Sequence, residues 1–473
     1  MGLRWKRILS IAALFMEGCT VGPKYAKPAA EVPANYKETA QNFKEAQPSD
    51  QIEKGKWWEI YNDPSLNDLE EQIRVSNQTL KAEQAHFAAA RAAIRVARAQ
   101  SFPNVTGGLS GTHNTESFNR PTGNSDLVYQ DYVLPVDVSY EPDLWGRVRR
   151  LVEANRSEAQ ATAADLANID LSLHAELAMD YFQLRGLDAQ KQLLDSTVES
   201  YTRALQLTQS RYQGGVATAV DVAQAQTQLE TTRAQSVDVG VNRAAFEHAI
   251  AVLVGRPASS FAIPPLSLNT PPPSVPPGVP SDLLERRPDI AAAERRVQEA
   301  NAQIGVAKSA YYPNITLGAG GGFESGALGT FIQGASGFWT LAGSAAELIF
   351  DGGQRRGMSD QARAVYEQSV DDYRQTVLIA FQEVEDNLAA LRLLQEEAKT
   401  EDAAVAAAQH SLDLSTTRYR GGVTNYLEVT TAQSAALSDE VTALEILIRR
   451  MNASVLLIKA IGGGWKVSQI PPV

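Results

Sequence analysis

One short stretch, present twice, constrains this chain more than any other feature. Residues 211–226 read RYQGGVATAVDVAQAQ and residues 418–433 read RYRGGVTNYLEVTTAQ. Each is a tight Gly-Gly turn, Gly214-Gly215 and Gly421-Gly422, between two long proline-free segments with helical patterning. Each places an acid six residues past the second glycine, Asp221 and Glu428. A single copy is an ordinary helix–turn–helix with an acid near a helix N-terminus, where the dipole favours it. Two copies so far apart point to a duplicated chain with two helical hairpins.

The arms of the first hairpin are very long. No proline occurs between Pro142 and Pro257. Ile169, Leu173, Leu177, Tyr181, Leu184, Leu187, Leu194, Val198, Tyr201 and Leu205 recur every three, four or seven residues, which is one apolar seam on one helix. Roughly 60 residues at about 1.5 Å each make a rod of ~90 Å.

Before each hairpin the texture turns to strand. NVTGGLSGTH (104–113) and VYQDYVLPVDVSYE (128–141) flank a polar loop, and Tyr132, Leu134, Val136, Val138 and Tyr140 alternate with a mostly polar set, the period of two of a strand with one apolar face. Tyr312-Pro313-Asn314-Ile315-Thr316 repeats Phe102-Pro103-Asn104-Val105-Thr106, and Gly352, Arg355 and Arg356 repeat Gly146, Arg149 and Arg150. The second strand pair is expected near 313–324 and 337–350, with small residues on both faces of its last member. Strands of about ten residues cross a bilayer when tilted. Four of them leave two open edges, costly in lipid, and too few strands to close a barrel, since natural ones start at about eight. Copies of the chain must then share one barrel. The edge argument alone does not fix how many.

The predicted organisation is a signal peptide at 1–18, an extended arm at 19–62, a first repeat at 63–256, a proline-rich linker at 257–288, a second repeat at 289–462 and a tail at 463–473. Arg4, Lys6 and Arg7 precede the apolar run Ile8–Met16, too short for a membrane span and suited to a signal peptide. Cys19, the one cysteine, follows at once and resembles the acylated residue of a bacterial lipoprotein, although Glu17 stands where that pattern prefers a small residue. With Thr20 next to it, the pattern implies sorting to the outer membrane and a covalent N-terminal lipid on Cys19.

The whole set of motifs resembles the TolC family of outer-membrane efflux and secretion channels, and within it the OprM-like lipoproteins that serve RND-type pumps. The residues that carry the resemblance are Cys19 with VGPKY (21–25), WWEIYNDPSLNDL (57–69), LLERRPDI (283–290), AYYPNI (310–315), the two RYxGG turns and GGGW (462–465). The resemblance implies an α+β membrane protein: a homotrimeric 12-stranded β-barrel, four strands per chain, continuing into a periplasmic 12-helix α-barrel. It implies a periplasmic adaptor protein and an inner-membrane RND pump as partners, outer-membrane lipid around the barrel, and no further cofactor. It places a gate at the hairpin tips, with Tyr419 latched to Asp221, a constriction ring of Glu428, and adaptor contacts at Gly214, Gly215, Gly421 and Gly422. Thr424 and Thr431 stand where relatives carry charged gate residues, so this gate is expected to hold fewer polar links.

Other function classes find little support. With 43 basic against 55 acidic residues the chain is net −12, unsuited to nucleic-acid backbones. His86, His113, His174, His248 and His410 are scattered without metal-ligand spacing, and the glycine clusters at 318–322 and 462–464 lack a phosphate-loop lysine. Glu285–Asp289 reads as a helix-start ion-pair cluster. No enzyme is expected. The competing readings are a type I secretion duct for polypeptides and a non-conducting trimeric stalk.

Overall fold

The computed structural model describes residues 20–39, 56–117, 128–268, 270–275, 278 and 280–472; the signal peptide expected at 1–18 and the expected lipid site Cys19 lie outside them. Helices α1 (Pro64–Ser76) and α2 (Gln78–Ala99) lead into strands β1 (Asn104–Gly107), β2 (Ser110–Thr115) and β3 (Val128–Tyr140). Helix α3 (Arg147–Gln213) runs 67 residues and α4 (Ala219–Leu253) returns for 35. The second half gives α5 (Pro288–Ser309), β4 (Asn314–Ser325), β5 (Gly337–Ala346), a 67-residue α6 (Gln354–Arg420) and a 35-residue α7 (Tyr426–Ala460). Matching lengths in the two halves follow from matching punctuation. Gly146 and Gly353 open the long helices in left-handed conformation, and the Gly-Gly turns end them. No described helix is long and apolar enough to cross a membrane.

The sheet is antiparallel in the order β1/β2–β3–β4–β5. β1 and β2 are one strand interrupted opposite Pro135, which has no N–H to give to the ladder. The ends of the sheet, β1/β2 and β5, have no partner on their outer sides among the described residues. Partnered residues share a face. The register therefore groups Val105, Val138, Ala319 and Leu341 in one row and Gly107, Val136, Gly321 and Trp339 in the next. Trp339, Leu341, Val105, Val136 and Leu317 on this face are all exposed. The opposite face carries Thr106, Asp137, Gly320 and Thr340 in one row. The small residues of β4 and β5 thus leave a two-sided sheet, apolar on one side and polar on the other. β5 stops at Ala346 rather than continuing to 350 as the sequence suggested. Asp351 accepts from the amides of Gly353 and Arg355, and Glu347 pairs with Arg355, so 347–353 form the turn into α6.

The main apolar core lies where the short helices meet the middle of the long ones, around Trp57, Trp58, Tyr181, Phe182, Tyr373 and Leu388. The proline-rich segment is largely extended, but it is neither free of helix, since Ala258–Ser260 and Pro280–Asp282 are 3-10 turns and Leu283–Arg286 is a turn of α-helix, nor a loose linker. Ile263, Leu268 and Val275 are buried in that core, and the carbonyls of Ile263 and Pro264 accept from Arg243 and Arg185. The LLERRPDI motif and the C-terminal GGGW form one junction. Arg287, buried, pairs with Asp289 and Glu383 and donates to the carbonyl of Ala460 at the end of α7. Gly462 (φ +90°) lies so close that a Cβ there would run into the Arg286 carbonyl.

One buried polar cluster sits under Trp58. His174 Nδ1 lies 2.6 Å from Glu70 Oε2, its Nε2 lies 3.5 Å from Asp170, and the indole stacks on the imidazole at 4.3 Å. Arg74 lies over the same indole and 4.0 Å from Asp170. Burial pushes the Glu70 carboxyl up to about 7. Burial opposes the imidazolium of His174, but its bonds to Asp170 and Glu70 outweigh this and leave it raised. Both shifts have the same sign. Each group holds its proton more tightly when folded, so its contribution is complete at acid pH and is lost as pH rises through neutrality. The helical signal should melt at lower temperature at about pH 8 than at about pH 5.5, with a flatter profile in Glu70→Gln. Equal slopes in the two proteins would remove this cluster as the cause.

Candidate gate at the hairpin tips

Both tips are built alike. Gly214 and Gly421 keep helical angles (φ −75° and −73°), and Gly215 and Gly422 adopt the left-handed region (φ +77° and +72°). There the amides of Val216 and Val423 reach back to the carbonyls of Arg211 and Arg418 at 2.8 and 3.0 Å. These bonds satisfy carbonyls that a helix end would leave open, and the left-handed residue has to be glycine to avoid strain.

The returning helices start differently. Thr218 caps α4, and its amide and hydroxyl both donate to Asp221 Oδ2, at 2.8 and 3.0 Å, while the Asp221 amide donates to the Thr218 hydroxyl. This is a reciprocal capping box, and it occupies the carboxylate. In the second hairpin Asn425 caps α7 by accepting from the Glu428 amide at 3.4 Å, and the Glu428 side chain is exposed.

Between the tips Tyr419 is held in a clasp whose other members, Arg211, Thr208 and Tyr426, the sequence does not single out as gate residues. The Arg211 guanidinium lies 4.8 Å from the centre of the Tyr419 ring and donates to the Arg420 carbonyl at 2.9 Å. Tyr419, buried, meets Tyr426 edge-on at 5.2 Å, and its hydroxyl donates to Thr208 at 3.4 Å. Ala225, Val429 and Leu205 fill in around the two rings. Higher up, Tyr201 donates to the Gln433 carbonyl and Gln228 to Ser434. The expected Tyr419–Asp221 contact is therefore not made within the chain. Tyr419 turns to Thr208 on α3, and Asp221 is spent on its own helix cap. Arg211 was visible as the first letter of RYQGG, but nothing in the sequence says that only one copy of that motif faces inward. Tyr212, the counterpart of Tyr419, is half exposed, and Arg418, the counterpart of Arg211, is exposed. Val216, Val220, Val423 and Leu427 crown the tips as exposed apolar residues.

No group of His, Cys, Asp or Glu among the described residues is arranged to hold a metal ion. The model of the outer membrane efflux protein family matches residues 69–256 and again 279–463. The chain belongs to the outer membrane efflux protein family. Each match takes in one sequence of short helix, strands and long hairpin, and together they cover most of this efflux protein. It is 32% identical over 462 residues to the probable efflux pump outer membrane protein TtgC of Pseudomonas putida, covering 97% of this chain and 95% of that one. It is 31% identical over 459 residues to outer membrane protein OprJ of Pseudomonas aeruginosa, with 96% and 95% covered. Among solved structures, the outer-membrane channel OprN superposes with a TM-score of 0.87 at 30% identity, over 94% of this chain and all of that one. The protein is thus an outer-membrane efflux protein, of a family of transport channels rather than of enzymes.

Proposed function

We propose that three copies form one continuous duct, a 12-stranded barrel in the outer membrane above a 12-helix periplasmic tube, through which small molecules delivered by an adaptor and an inner-membrane pump leave the cell. The carrying observation is the two-faced sheet. Its apolar rows around Trp339, Leu341, Val136 and Val105 are exposed, and its outer strands β1/β2 and β5 have no described partner on their free sides. Such a sheet satisfies its backbone in lipid only by closing on other sheets, and the opposite row of Asp137, Thr106 and Thr340 suits a water-filled lumen. The covalent anchor on Cys19 and the adaptor contact at the exposed tips belong to the same reading.

The inward and outward copies of the RY motif support assembly in a ring. Arg211 clasps Tyr419 inside the chain. Arg418 and Tyr212 are then the matching pair between one subunit and the next, so that all six hairpins of a trimer hold their neighbours alike. Oxidative cross-linking of Arg418→Cys with Tyr212→Cys, on a Cys19→Ser background, should give a ladder ending at three subunits in detergent. A protein that stays monomeric with its strand signal intact would exclude the trimer.

A further inference from the structure

We propose that a cleft at the top of α3, walled by Arg98, Arg149 and Arg156, binds the phosphate of an anionic phospholipid headgroup from the periplasm-facing leaflet. The cleft measures about 520 Å³ and lies between the C-terminal end of α2, the first turns of α3 and Gln298 of α5. Three guanidiniums face one carboxylate there, and that carboxylate, Glu153, is already held by Arg150 at 2.8 Å. Arg149 is steadied by Asp143, whose carboxylate accepts from its Nε at 3.2 Å. Arg98 and Arg156 are exposed and have no ion-pair partner among the described residues. Ser101 and Gln160 add neutral donors beside them. Planar guanidinium forks match phosphate oxygens two at a time, and in a chain of net charge −12 such a basic pocket stands apart from its surroundings.

Its depth and its side point to lipid. The proposal rests on the reading that the sheet spans the outer membrane, whose edge then lies near the strand ends at Asn104 and Tyr140. Thr20 packs on Gly146, and the Val21 amide donates to the Trp145 carbonyl at 3.1 Å, which puts the N-terminal arm at Thr20 and Val21 at the same height. Arg149 is in the first turn of α3, and Arg156 is about 14 Å below the helix start. The headgroup layer adds roughly 5–8 Å to each side of the hydrocarbon core, so Arg149 falls within it and Arg156 starts just below it, its long side chain reaching up to the phosphate level. On α5, Gln298 shares a face with Glu294 and Asn301, the residues on which the N-terminal arm lies through Tyr25 and Pro23. The ion pair of Arg296 with Asp165 sits on the opposite face. An arm that starts from a membrane-anchored residue runs outside the wall, so the cleft on its side opens to the bilayer and not to the lumen.

The test is native mass spectrometry of the full-length protein released from nanodiscs of equal parts phosphatidylglycerol and phosphatidylcholine. The wild type should retain phosphatidylglycerol several-fold over phosphatidylcholine, and Arg98→Ala with Arg156→Ala should abolish that preference. The double lysine variant should keep part of it, which separates charge from folding defects, and the intact oligomer in the same spectra checks assembly. Millimolar inorganic phosphate should not displace the lipid. Displacement by phosphate, or equal retention in wild type and the alanine variant, would overturn the proposal. The mature N-terminal mass in these spectra tests the anchor separately: an unmodified Cys19 would fail that reading while the lipid preference still reports on the cleft.

Discussion

Arg287→Ala should be the most damaging single substitution outside the sheet. Arg287 is 7% exposed and ties the start of α5, through Asp289, to two distant pieces of chain: Glu383 in the middle of α6 and the carbonyl of Ala460 at the end of α7. Burial opposes its charge, and its two carboxylates more than restore it. Losing one member of a buried pair costs about 3–5 kcal/mol, because the remaining charges are left without a partner. Glu383 is still reached by water, so roughly 2–4 kcal/mol is expected here. Arg287→Lys should recover only part of the loss, since one ammonium cannot serve two carboxylates and a carbonyl with a planar fork. The heat resistance of the assembled protein is the readout. Unchanged resistance in Arg287→Ala would mean that the packing of Gly462 against Arg286 holds the junction by itself.

The second large effect is expected at the tips. A duct has to be shut when nothing is docked and has to open without unfolding, so its closing contacts should sum to only a few kcal/mol. The Arg211 clasp fits that range. A cation over an aromatic face gives about 0.5–2 kcal/mol, and a charged donor on a carbonyl about 1.5–3 kcal/mol when shielded from water; this donor is partly exposed, so about 1–2 kcal/mol per chain is reasonable. Arg211→Ala should raise the open fraction of each chain's tip by roughly tenfold, and more where chains open together, read as antibiotic leak into cells and as resting conductance. Arg211→Lys should fall between, and Tyr419→Phe should change little, because its lost bond to Thr208 is long at 3.4 Å. Asp221→Ala should act mainly by removing the cap of α4, at about 1 kcal/mol. Glu428→Gln should weaken cation preference if this exposed carboxylate lines the constriction. Wild-type leak in Arg211→Ala would put the constriction elsewhere on the hairpins.

Much of this architecture is legible in the sequence because its determinants are local. Prolines and glycines set the ends of the long helices, and the seam from Ile169 to Leu205 sets their period. The alternation from Tyr132 to Tyr140 identifies β3 without help. β5 is harder to read, since small residues fill both of its faces, and only its register against Gly321 and Ala319 aligns Trp339 and Leu341 with Val136 and Val138. The proline-rich stretch reads as wholly extended, yet Leu283–Arg286 at its end is a turn of α-helix, and its burial depends on Arg185 and Arg243, earlier in the chain. LLERRPDI and GGGW could be recognised separately, but not as one junction. At the gate, the motif letters were visible while their pairing was not. Tyr419 meets Thr208 instead of Asp221, and a local bond, the Thr218 cap, holds the Asp221 carboxylate.

The central claim is that the chain forms a passive duct closed at its periplasmic tips. Conductance of the purified protein in a planar lipid bilayer, wild type beside Arg211→Ala, tests it most directly. The account predicts discrete insertion events of low, cation-preferring conductance for the wild type and a clearly higher resting conductance for the variant. A protein that inserts and assembles in both forms, yet passes no current in either, would be a stalk and not a duct.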